Sequence, residues 1–165
     1  MIVVSDTSAL SAFILIGQLE LLPKLYKQVI VPPAVMREIF VLESQFGHDL
    51  SILKNASWLD IIPVKDFDLF QRYRQVLDEG EAEALVLMQE MAADFLLIDE
   101  MKGRKVAQAV GIPHTGVLGV LLSAKANGFI PVVQPLLEAL LTKAGFRMSR
   151  ILYERVLQQA GEKTP

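Results

Sequence analysis

Short runs of consecutive apolar residues alternate along the chain with longer stretches in which apolar positions recur every three or four residues. The runs read as strands buried on both faces, and the longer stretches as helices that pack one side. Ile2-Val3-Val4-Ser5 is the first run, followed by helical periodicity over 8–16 and 19–25. Val29-Ile30-Val31 is the second, stopped by Pro32-Pro33. Proline fits the first turn of a helix, so the spacing predicts one over 34–42. A weaker extended segment at 58–63 precedes predicted helices at 66–77 and 81–91, the latter opening after Asp78-Glu79-Gly80. Phe95-Leu96-Leu97-Ile98 is the cleanest strand and Asp99 closes it. A helix over 102–110, a short strand or turn at 112–115 and an apolar helix over 117–126 follow, the last ended by Asn127-Gly128. Helices over 132–141 and 149–159 complete the pattern, with 161–165 expected as a loose tail.

Continuously apolar strands separated by helices imply parallel pairing, because parallel neighbours need crossover connections. The predicted fold class is therefore α/β: a three-layer α/β/α sandwich around a central, mainly parallel sheet, formed by a single domain over 1–160. At 165 residues, 52% hydrophobic and 21% charged, the chain can bury a sizeable core. The longest stretch free of charged residues, Val106 to Ala124, contains Pro113, His114 and three glycines, so no membrane span is expected. The start lacks the basic and apolar regions of a secretory signal, and the chain has no cysteine. A cytoplasmic, reducing location is expected, and any metal site must use carboxylates or the two histidines. The net charge of −3 excludes a global basic footprint for nucleic acid. Locally, Lys143, Arg147, Arg150, Arg155 and Lys163 face only Glu154 and Glu162 near the end of the chain, which makes that stretch either a phosphate-facing patch or a solvated helix.

In parallel sheets the functional crevice lies beyond the carboxyl ends of the strands. Asp6 and Asp99 each follow a predicted strand there, although each also suits the capping of the helix that follows. Two helical glutamates add to them. At about 100° per residue, Glu38 borders the apolar stripe of Val35 and Ile39. On the 81–91 helix, Glu81 falls with Ala84, Leu85 and Met88 on the core side, while Glu83 and Glu90 fall on the opposite, outward side. Four converging carboxylates without basic partners would repel one another unless a hard divalent cation joined them.

Several of these segments resemble one family. Val3-Val4-Ser5-Asp6-Thr7-Ser8, Glu38 in Pro33-Ala34-Val35-Met36-Arg37-Glu38, Gly80-Glu81-Ala82-Glu83-Ala84 and Leu96-Leu97-Ile98-Asp99-Glu100 are similar to the motifs of PIN-domain ribonucleases. The resemblance extends to the stretch from His114 to Leu122 and to Ala144-Gly145-Phe146-Arg147-Met148-Ser149. It implies a metal-dependent endoribonuclease whose acidic site is Asp6, Glu38, Glu81 and Asp99, using Mg²⁺ or Mn²⁺. Thr7 or Ser8 would contact a water or the substrate. Many members are VapC-like toxins, so the resemblance also implies an RNA substrate and a protein antitoxin, while the high apolar content and long apolar helices of the chain lead to the expectation of a homodimer. Position 81 is Glu where many members carry Asp. Lys102 and Arg104, close after Asp99, are candidates for steering phosphate. His48 and His114 lack a partner at ligand spacing, and Gly116 and Gly119 form no phosphate-loop pattern. The alternative reading is a catalytically silent PIN-like regulatory or interaction module.

Overall fold

A computed structural model describes residues 1–163, apart from the side chains of residues 42, 43 and 46. In chain order the elements are β1 (Ile2–Ser5), α1 (Thr7–Leu15), α2 (Leu21–Leu25), β2 (Gln28–Val31), α3 (Pro33–Phe46), α4 (Ser51–Lys54) and β3 (Leu59–Ile61). Then come α5 (Phe67–Arg74), α6 (Glu79–Glu90), β4 (Phe95–Leu97), α7 (Met101–Ala109), β5 (His114–Thr115), α8 (Val117–Ala126), α9 (Gln134–Thr142) and α10 (Arg150–Gln159). The strands form one sheet in the order β3-β2-β1-β4-β5, and every pairing is parallel.

Alternation inside each apolar run builds the two outer layers. Val3, Val29, Val31 and Leu97 pack on one face with α1, α2, α3, α8, α9 and α10. Val4, Ile30, Leu96 and Ile98 pack on the other with residues of α5, α6 and α7. This is the predicted three-layer α/β/α arrangement. The chain winds outward from β1 through β2 to β3, returns, and winds the other way through β4 to β5. The reversal falls between β1 and β4, whose carboxyl ends therefore open a crevice that crossovers do not cover.

Most elements lie where the periodicity puts them, with instructive shifts. Helix α6 begins at Glu79, two residues before the predicted start, because Asp78 rather than Gly80 caps it. Helix α3 runs four residues past the predicted end, and α4 was not foreseen. Of the expected loose tail 161–165, residues 164 and 165 lie outside the described residues. Glu162 accepts hydrogen bonds from the amides of Val133 and Gln134 at 2.6 and 3.0 Å and pairs with Lys125 at 2.5 Å. Among the described residues, no helix is long and apolar enough to cross a membrane.

Candidate active site

At the β1–α1 corner the Asp6 amide donates to the Leu97 carbonyl at 3.0 Å, which continues the β1–β4 ladder one residue into the turn. Its side chain caps α1, accepting from the Ala9 amide at 2.8 Å and from the Ser8 hydroxyl at 2.6 Å. Capping and burial thus coincide, since Asp6 is 1% exposed. Burial pushes its carboxyl up to about 8; the Ser8 and Ala9 hydrogen bonds oppose that shift, and the negative charges of Asp99 and Glu81 add to it. Thr7 and Ser8 are spoken for: Thr7 Oγ1 donates to Glu38 at 2.5 Å, and Ser8 Oγ also accepts weakly from the Asp99 amide at 3.4 Å. Their hydroxyls orient carboxylates here.

The β4–α7 corner is built differently. Asp99 does not cap the helix that follows it; both its oxygens accept from the Val117 amide, at 3.2 and 3.0 Å, so it caps α8 instead. Glu100 occupies the N-cap of α7 without a side-chain bond to it. Burial raises the Asp99 carboxyl to about 6, against the pull of the Val117 amide and the Arg104 charge, with Glu100 adding to the rise. Arg104 donates to the Ile98 carbonyl at 3.0 Å. The expected absence of basic partners is therefore corrected: Arg104 is a half-buried cation beside Asp99.

Helices supply the two glutamates from opposite layers. Glu38 comes from α3 and reaches Thr7. Glu81 sits at the third position of α6 in a reciprocal cap. Its amide donates to Asp78 at 2.8 Å, and its Oε2 accepts from the Asp78 amide at 3.3 Å. Its other oxygen, Oε1, is buried without any partner, and the residue is 6% exposed. Burial, reinforced by Asp78, raises this carboxyl too.

Glu83 does not face solvent as the helical projection predicted. It is half-buried, and its carboxylate accepts from the Ala34 amide at 3.1 Å, which ties α6 to the start of α3. Its pKa is raised, first by burial. Helix α6 is buried over most of its first two turns, where Glu79 stays exposed and Glu83 is partly covered by the start of α3. Glu90 likewise accepts from the amides of Lys65 and Asp66.

Three glycines make room for this packing. A Cβ on Gly116 would lie 2.3 Å from Asp99 Oδ1, one on Gly103 would lie 2.9 Å from Glu81 Oε1, and one on Gly80 would lie 3.2 Å from Glu38 Oε1. Each glycine thus stands against a different carboxylate, a signal that spacing alone does not carry.

Asp6, Thr7, Ser8, Glu38 and Glu81 line one small cavity of about 190 Å³, together with Asp78 and Glu100, which the sequence reasoning did not select. Adjacency to Asp99 and the Asp-x-x-Glu capping pattern were the available signals for those two. Asp99 lines the neighbouring groove, and Lys102 lines another, beside Glu81. Among the described residues, no three acidic or histidine side chains stand close enough to enclose a metal ion. In kind the donors fit one: hard oxygens, raised pKa values and a buried, unpartnered Glu81 Oε1 all call for a cation.

An all-parallel α/β/α sheet with carboxylates at its switch point defines the class of this domain, an α/β fold with an acidic crevice. The family model DUF3368, described as a PIN domain, matches residues 2–162, and the chain belongs to this PIN-domain family. PIN domains are generally nucleases and typically use divalent metals. No curated protein and no solved structure matches the chain.

Proposed function

We propose that this chain is a metal-dependent endoribonuclease that hydrolyses RNA phosphodiester bonds, with Asp6, Glu38, Glu81 and Asp99 as its site. The observation that carries the reading is Glu81 Oε1, a buried carboxylate oxygen with no partner, on a residue that lines a pocket walled by further acids. Such an oxygen costs about 1–3 kcal/mol or more, which folding alone gives no reason to retain. Asp6 and Asp99 would hold a Mg²⁺ or Mn²⁺ ion, and Glu38 and Glu81 would hold it through water or bind a second one. When bound, the ion supplies a water of lowered pKa and stabilises charge on the phosphate. Ser8 and Thr7 fix the orientations of Asp6 and Glu38, so the donors are set before substrate arrives. Asp6, with its carboxyl near 8, holds a proton at neutral pH and must release it on binding a cation. Attack by water on phosphorus with departure of the 3′ oxygen leaves a 5′-phosphate.

On this reading the protein is the toxin of a cytoplasmic toxin–antitoxin pair, countered by a protein antitoxin whose C-terminal segment occupies the groove, and it forms a homodimer. The competing reading is a silent PIN-like module, favoured by the spacing of the acids, no three of which close on one point among the described residues. Cleavage of total RNA by the wild type, Glu81→Gln and Glu83→Gln at one Mg²⁺ concentration separates the two. Wild-type cleavage with 5′-phosphate ends, lost by orders of magnitude in Glu81→Gln and kept in Glu83→Gln, is the expected result. No cleavage by the wild type under Mg²⁺ or Mn²⁺ would establish the silent module.

A further inference from the structure

The carboxylate cavity does not stand alone. It adjoins two larger grooves of about 680 and 710 Å³, and Glu100 lines all three. Ligand-sized sites run from roughly 300 to 1,000 Å³, so the grooves can seat nucleotide-sized groups, whereas the central 190 Å³ suits a single phosphate and its waters. Met101, 69% exposed, lines both grooves and offers an apolar surface between them.

Each groove also carries a cation. In the first it is Arg147, exposed and with no hydrogen bond or ion pair among the described residues. The loop that presents it is held in place. Gly145 turns the chain at φ +62°, the Phe146 amide donates to the Leu140 carbonyl at 3.0 Å, and the Phe146 ring packs on the core. The second groove holds Lys102, whose charge is felt at Glu81, and Arg74, which is engaged with the Leu77 carbonyl at 2.5 Å, beside Asp78, Glu81 and Glu100.

We infer that a single nucleic-acid strand crosses the carboxylate cavity from groove to groove, with Arg147 and Lys102 as positioning residues for the phosphates on either side of the cleaved one. The inference rests on the nuclease reading and adds to it the path of the substrate. A strand is favoured over a basic peptide because cations flank the acids. Acids line both grooves as well, but Arg147 and Lys102 have no hydrogen bond or ion pair among the described residues, so phosphates would supply the partners they lack, whereas a peptide's arginines would add a like charge beside each.

Binding of a fluorescein-labelled 12-nucleotide single-stranded RNA at pH 7 in EDTA, followed by anisotropy, tests the path without cleavage. Losing one single-strand phosphate contact lowers the salt slope by about 0.7, which at about 0.1 M salt is roughly a 5-fold loss of affinity. Arg147→Ala and Lys102→Ala are each expected to show that loss and that slope change, and to raise KM with kcat near wild type. Arg155→Ala, on α10 and away from both grooves, is expected to bind as the wild type does. Unchanged affinity in both groove variants would overturn the path while leaving the nuclease reading intact. Binding that falls in the variants of a wild type unable to cleave would uphold the path and remove the nuclease reading. Capture of a nona-arginine peptide with no RNA binding would overturn the path, and the nuclease reading would then stand or fall on cleavage under Mg²⁺ or Mn²⁺.

Discussion

The two corners that frame the crevice look alike in sequence, a parallel strand ending near an aspartate, and behave differently in structure. At β1–α1, Asp6 caps its own helix and is wholly buried; at β4–α7, Asp99 caps a helix two elements further on and has Arg104 beside it. Their carboxyls stand near 8 and near 6. The difference teaches that the job of a strand-end acid is set by which amide comes nearest, and that a neighbouring cation decides how much of the desolvation penalty remains.

The strongest way to break this contrast is to fill space at one corner. Gly116→Ala places a methyl 2.3 Å from Asp99 Oδ1 and 2.9 Å from Arg104, so Asp99 must leave the Val117 amide. Cleavage is expected to fall about 100-fold, the scale of a 1 Å misplacement. Stability should drop by about 1–3 kcal/mol. Gly80→Ala, beside Glu38 and Thr7, meets only side-chain ends at 3.0–3.3 Å, and a helical alanine recovers up to about 1 kcal/mol. Its melting temperature should stay near that of the wild type. A larger loss in Gly80→Ala than in Gly116→Ala would reverse the assignment of which corner is rigid.

A pH series sharpens the comparison. Both aspartates have folded pKa values above their unfolded value of 3.8, so the folded state binds the proton more tightly and stability declines as pH rises through each window. For Asp99 the window runs from about 4 to 6, and for Asp6 from about 4 to 8. In EDTA, Asp6→Asn should therefore gain melting temperature over the wild type up to pH 8, whereas the gain of Asp99→Asn should level off near pH 6. Parallel curves for the two variants would show the corners to be electrostatically equivalent.

The smallest effect concerns the strut between the helices that carry the glutamates. Glu83→Ala removes the acceptor for the Ala34 amide and is expected to cost about 1 kcal/mol in urea unfolding. A change below about 0.3 kcal/mol would show that water replaces it.

The sheet and its crevice were legible because apolar runs mark central strands and the switch point follows from their order. Asp6, Glu38 and Glu81 were legible as acids bordering apolar faces, and the structure brings these three to one cavity. The outward reading of Glu83 missed its half-burial, because a helical projection does not show which distant amide a side chain meets, here that of Ala34 at the start of α3. The role of Arg104, the participation of Asp78 and Glu100 and the glycine contacts depend on approach between segments far apart in the chain, to which periodicity is blind. The pairing of Asp99 with α8 rather than α7 belongs to the same class.

Strand β1 lies between β2 and β4, and its link to β4 is long-range: the Ile2 amide is held by Asp94, 92 positions away. Contacts so distant in the chain are slow to form and come late in synthesis. The acids of the crevice are therefore separated on the emerging polypeptide, and the acidic crevice is not assembled on the ribosome until β4 has emerged and docked. A chain released before that point would expose an unpaired edge of β1, a surface prone to aggregation.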